Sequence, residues 1–151
     1  MFSLSQTCGH AIKALACLAG DSCRHAFIHD IADCSGVPRA YLAKILHRLS
    51  EHGIVEAKRG YRGGVWLVRP PDAISLWDIS VAIDGEGCLS ECMLGESFCK
   101  DLRDCPTHAF WKSRRHEIKK ELEDTTLEDV IAFEHKQSKT RARRVKKGAI
   151  R

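Results

Sequence analysis

No stretch of this chain is apolar for long enough to cross a bilayer, which argues against a membrane-spanning helix. The run Ala11–Gly20 is apolar enough to imitate a signal peptide, but Lys13 interrupts it and no Lys or Arg precedes it; a cytoplasmic address is expected. There is no glycine-rich nucleotide loop, no Ser-His-Asp arrangement and no acid pair in a predicted pocket, so an enzyme is not expected. No internal repeat is present. Acid is missing altogether from Lys136 onward, where eight basic residues follow one another. The overall charge of +4 therefore misleads: residues 1–135 hold 16 basic and 20 acidic residues, a net of −4. Affinity for nucleic acid has to come from a local basic face and from the tail.

What is present first is a chain of 151 residues with 44% apolar content, enough for one folded core. Leu4, Cys8, Ala11, Ile12, Leu15, Leu18 and Ala19 recur at helical spacing and predict a first helix ending near Gly20. Ile28, Ile31 and Ala32 mark a short second helix. Ala32, Gly36 and Val37, followed by Leu42 and Ile45, have the spacing of a helix-turn-helix. Ala32 is small where two helices cross, Gly36 supplies a left-handed turn, and Val37 plugs the gap. Leu42, Ile45, Leu46 and Leu49 form the buried stripe of the third helix, with Arg39, Tyr41, Lys44, His47 and Arg48 on its other face. Ile54–Lys58 and Val65–Val68 read as two short strands joined by Arg59-Gly60-Tyr61-Arg62-Gly63-Gly64, a wing.

That order predicts a mainly α fold with a small β-hairpin: a winged helix-turn-helix over 1–71 that reads double-stranded DNA. Arg39, Tyr41 and Lys44 are expected at base edges or phosphates, and Arg59, Arg62 and Gly63 on the wing at the backbone or minor groove. Residues 72–134 are expected to hold helices for dimerisation, one capped by Ser75 with Asp78, another starting near Pro106 and running to about Asp124, and a last short one capped by Thr126 with Asp129. Residues 135–151 are expected to be a disordered basic tail.

Cysteine is abundant, eight residues in all. In a reducing compartment this argues against a disulfide framework. Cys17 and Cys34 are expected as small core residues. Cys92, Cys99 and Cys105 lie in one segment (about 88–105) with six and then five residues between them. Thiolates are soft ligands for iron–sulfur clusters or zinc, and His108, three residues beyond Cys105, shares its helix face. Three readings stay open on the residues alone: a cluster site, a structural zinc on Cys92, Cys99, Cys105 and His108, or a metal-free thiol switch.

The Ser35-Gly36-Val37-Pro38 turn with Tyr41-Leu42 and Arg48-Leu49, the wing, and the run Cys105-Pro106-Thr107-His108-Ala109-Phe110-Trp111 together resemble the Rrf-two type winged-helix regulators, the IscR- and NsrR-like iron–sulfur family. The resemblance covers nearly all of 1–133. It implies a homodimer, in most cases a repressor, on a palindromic promoter site, with no membrane and no small-molecule substrate. It also implies an iron–sulfur cluster, 2Fe–2S or 4Fe–4S, on Cys92, Cys99 and Cys105, reporting iron–sulfur status, redox state or nitric oxide. The first gap is one residue longer than is common in the family, and Cys88 is an extra candidate that could replace Cys92. The fourth ligand is implied to be His108, or else Cys8 of the partner subunit. A cluster-handling enzyme or assembly protein is the remaining alternative class.

Overall fold

The computed structural model describes residues 4–20, 26–60, 63–90, 92–94 and 105–148, with side chains as far as 137. Helix α1 (Gln6–Ala19) begins where the Ser5 hydroxyl accepts the Cys8 N–H at 3.0 Å. It buries Cys8, Ala11, Ala14, Leu15 and Leu18 along one side. Helix α2 (Ile28–Ser35) starts with the Asp30 carboxylate accepting the Phe27 N–H at 2.9 Å. It ends on Gly36, whose φ of 70° and N–H bond to Ala32 O at 2.9 Å form the left-handed cap expected of the turn. Helix α3 (Arg39–Glu51) follows after Pro38 and buries Leu42, Ile45, Leu46 and Leu49.

Strands β1 (Val55–Lys58) and β2 (Gly64–Leu67) pair antiparallel, with Val55 opposite Leu67 and Lys58 opposite Gly64. Ala26, in the connection between α1 and α2, exchanges two backbone hydrogen bonds with Val65 and so adds a third edge to the wing. The sequence gives no strand signal at Ala26, because one isolated bridge has no periodicity.

Helix α4 (Leu76–Asp84) carries the expected capping box: Asp78 N–H donates to Ser75 Oγ at 3.0 Å, and Ser75 N–H donates to the Asp78 carboxylate at 3.2 Å. After a short 3₁₀ turn at Glu86–Leu89, the chain reaches α5 (His108–Asp124). Pro106 precedes α5 by two residues rather than opening it. Helix α6 (Leu127–Gly148) starts with Asp129 accepting both Thr126 N–H (2.9 Å) and Thr126 Oγ1–H (2.7 Å). Those bonds hold the Asp129 carboxyl below its usual pKa.

Two expectations need correction here. The segment past His135, expected to be disordered, continues α6 as a helix to Gly148. From Glu128 to Lys147 it contains neither Gly nor Pro and is rich in Lys and Arg, both good helix formers, so helix propensity carries it on. Cys17 and Cys34, expected as separate core thiols, are joined by a disulfide between α1 and α2, with Cα atoms 6.1 Å apart and Cys34 exposed.

The core is one cluster. It runs from Cys8, Leu15 and Ile31 through Leu42, Leu49 and Val65 to Ile74, Ile79, Ile83 and Leu127. The core therefore spans both sides of the boundary expected at 71/72. Leu127 is drawn in because Ile74 O accepts its N–H at 2.8 Å while Leu76 N–H donates to Thr125 O at 2.9 Å. Among the described residues no helix is long and apolar enough to cross a membrane.

An added Cβ at Gly36 meets nothing within 4 Å, so only the positive φ opposes a side chain there. Gly36→Ala is expected to lower stability by roughly 1–2 kcal/mol, measured by urea denaturation with helix content unchanged. Equal midpoints for the two proteins would show that this φ is not a constraint.

Candidate DNA interface and cysteine site

The buried stripe of α3 fixes what its opposite face offers. Arg39, Lys44, His47 and Arg48 are exposed, as are Lys58 and Arg59 on the wing. Arg39 lies 4.0 Å from the Asp33 carboxylate in a loose, solvated pair. Arg62 and Tyr61 fall outside the described residues. Gly63 has a steric reason to be glycine: a Cβ there would sit 2.1 Å from Lys58 O and 2.9 Å from Gly60 O, while its N–H donates to Gly60 O at 2.9 Å. It closes the wing on which Arg59 stands.

Two residues of the expected reading face have structural duties. Tyr41 is half-buried; its hydroxyl is 2.6 Å from Thr7 Oγ1 and its ring meets His10 edge-on at 5.6 Å. Its position near the start of α3 turns its hydroxyl and ring toward α1. Arg48 donates from Nη1 to Ile83 O at 2.8 Å and ties α3 to the last turn of α4. Helical spacing puts both residues near the outer face; the neighbouring helices that claim them are distant in sequence.

The cysteine segment leaves from that same end of α4. Cys88, Cys92 and Cys105 are half-buried thiols, and Cys99 lies outside the described residues. Cys92 Sγ accepts Leu94 N–H at 3.4 Å. Cys105 Sγ is 3.3 Å from Thr107 Oγ1, and Cys105 O accepts His108 N–H at 3.1 Å at the start of α5. Burial, then the nearby Asp84 carboxylate, raises the Cys88 pKa. Arg115 of α5 stacks toward the Trp111 ring and reaches Leu89 O (3.5 Å) and Ser90 O (3.4 Å). Arg115 thus clamps the entry to the cysteine segment. Sequence reading missed it, although Trp111 and Arg115 at i, i+4 were a visible signal.

Cys8 is fully buried, 3.6 Å from Ser80 Oγ. Burial pushes its thiol up to about 11; the Ser80 hydrogen bond opposes this, and Asp84 and Cys88 add to the rise. A protonated thiol inside its own subunit is a poor donor to a metal held elsewhere. Among the described residues no three His, Cys, Asp or Glu side chains gather closely enough to hold a metal ion. The donor chemistry at Cys92, Cys105 and His108 suits a soft metal, and the segment carrying Cys99 joins them.

A sequence profile of the Rrf2 family, described as iron-dependent transcriptional regulator, matches residues 4–133. The chain belongs to the Rrf2 family. An HTH-type transcriptional regulator of Aquifex aeolicus (strain VF5) is 36% identical over 135 residues, spanning 87% of this chain and 93% of that protein. The HTH-type transcriptional regulator IscR of Erwinia tasmaniensis is 29% identical over 102 residues, 68% of this chain and 61% of its own length. The solved structure of CymR, described as the global cysteine regulator of B. subtilis, has a TM-score of 0.69 at 26% identity and covers 88% of this chain and 98% of that one. This Rrf2 chain is thus a winged-helix transcriptional regulator and not an enzyme.

Tyr41→Phe is expected to lose about 1 kcal/mol of stability while leaving the salt dependence of DNA binding unchanged. Lys44→Ala is expected to do the reverse, lowering the salt slope by about 1. Denaturation and anisotropy titrations check both, and an affinity loss of about tenfold or more in Tyr41→Phe at unchanged stability would return Tyr41 to the reading face.

The Cys8 thiol stays protonated in the folded chain above the pH at which it ionises in the unfolded chain. Its contribution is therefore complete below pH 9 and is lost as pH rises toward about 11. Stability is expected to fall by about 2–3 kcal/mol more across that window in the parent than in Cys8→Ala. Parallel pH dependences in the two proteins would remove Cys8 as the cause.

Proposed function

We propose that this Rrf2 regulator, acting as a repressor, binds a palindromic promoter site as a homodimer and holds an iron–sulfur cluster, 2Fe–2S or 4Fe–4S, on Cys92, Cys99 and Cys105. His108 is the fourth ligand; burial of Cys8 within its own subunit counts against an offer to the partner. A bound cluster would supply a redox couple and a target for oxygen or nitric oxide. The chain's own residues convert its presence into a change at DNA. Arg115 fixes the start of the cysteine segment on α5, and Arg48 fixes the end of α4 to α3. A segment drawn tight between Cys92 and Cys105 constrains both anchors, and with them the angle and spacing of the paired α3 helices. The observation that carries this reading is the placing of thiols at both ends of one segment, between α4, which Arg48 fastens to the recognition helix, and α5, whose Arg115 holds the segment's start.

A second reading is a metal-free or zinc-bearing thiol regulator. It is supported by the likeness to CymR, described as a cysteine regulator.

Anaerobic reconstitution with iron and sulfide separates the two. The parent protein is expected to turn brown, with visible absorbance bleached by nitric oxide or oxygen. Cys92→Ser, Cys99→Ser and Cys105→Ser are each expected to lose most of the bound iron, and His108→Ala a large part of it, while Cys8→Ser retains it. Colourless protein carrying stoichiometric zinc, or none of either metal, would replace the cluster reading with the second.

A further inference from the structure

The Cys17–Cys34 bridge lies outside the cysteine segment, within the DNA-reading unit itself. Cys17 is half-buried in the last turn of α1, and Cys34 is exposed as the penultimate residue of α2. Two residues beyond Cys34 stands Gly36, the left-handed hinge that aims α3. Between the bridged cysteines runs the connection whose Ala26 pairs with Val65 of the wing. The bridge therefore ties the end of α1 to the end of α2, two residues before the turn into α3, and Ala26 within the loop it closes pairs with the wing.

Helix α2 is weakly held otherwise. It has eight residues, too few for stability by itself, and buries only Ile31 and Ala32. Phe27 and Ile28 at its start are exposed. With so little burial, the covalent tie adds to the packing of Ile31 and Ala32 in keeping α2 in place.

We propose that Cys17 and Cys34 form a reversible dithiol–disulfide pair, a modification site for peroxide-class oxidants, that locks the helix-turn-helix in its DNA-competent geometry. The exposed Cys34 thiolate attacks one peroxide oxygen, breaking the O–O bond; hydroxide leaves, takes up the proton the thiol had released to become water, and Cys34 becomes a sulfenic acid. The Cys17 thiolate then displaces hydroxide from that sulfur, forming the S–S bond and a second water after protonation. Two thiols are oxidised and one peroxide is reduced to two waters. A dithiol reductant reverses the change. The proposal rests on DNA binding by this chain and not on a cluster.

The test uses the full chain carrying Cys92→Ser, Cys99→Ser and Cys105→Ser, so that the fate of the cluster reading has no bearing on it. The DNA probe is a duplex selected from a randomised pool by the oxidised protein. Hydrogen peroxide is expected to give a Cys17–Cys34 linked peptide within single chains by mass spectrometry, removed by dithiothreitol. The oxidised form should melt roughly 5–10 °C higher than the reduced form and bind the duplex at least about fivefold more tightly. Cys34→Ser, at an exposed position that tolerates the change, should abolish both responses, as should Cys17→Ser where it folds. A bridge that dithiothreitol cannot open, a bridge to another cysteine or another subunit, or equal affinity in the two redox states would each overturn the proposal.

Discussion

Leu42, Ile45, Leu46 and Leu49 bury one face of α3 in a seam shared with α1 and α4, and that contact decides which residues remain for DNA. At about 25 cal/mol per Å² of apolar surface, four buried aliphatic side chains outweigh any single polar contact on the outer face. The helix cannot roll to present a different set without exposing them. Arg39 and Lys44 are left outside by this constraint, while Tyr41 and Arg48, at the margins of the stripe, become fastenings to α1 and α4.

The same seam joins the two halves of the molecule. Helix α4 packs with α1 and α3 in the core, and Leu127 brings the start of α6 into it. The cysteine segment thus departs from an element that is already part of the DNA reader. At the α4 terminus that precedes this segment, Ile83 O receives Arg48 and Asp84 accepts the Ser5 hydroxyl at 2.8 Å. By contrast α5 buries only Trp111 among its residues, and Phe110 on it and Phe133 on α6 are 54% and 56% exposed. Such sparse burial leaves Phe110 and Phe133 without a place in the core.

Local features were legible in the chain wherever the physics is local. The stripes of α1 and α3, the turn at Gly36, the two strands, and the caps at Ser75–Asp78 and Thr126–Asp129 each depend on residues within about one turn of one another. Periodicity and hydrogen-bonding chemistry reveal those directly. Gly63 was singled out as part of a DNA-contacting wing; a Cβ there would clash with Lys58 O, which is a backbone reason for glycine. Less legible were features set by partners far away in sequence: the Ala26–Val65 bridge, the Arg115 clamp on Leu89 and Ser90, and the inward turn of Tyr41.

The amino-acid order by itself determined the helices, the hairpin, the reading helix and the clustering of Cys92, Cys99 and Cys105 along one segment, because side-chain period and spacing are properties of neighbours in the chain. Only the tertiary structure decided that Cys17 meets Cys34, that Cys8 is sealed against Ser80, and that Arg48 braces α4. Those outcomes depend on how α1, α2, α3 and α4 cross, and crossing angles are set by packing over the whole core, which no local pattern encodes.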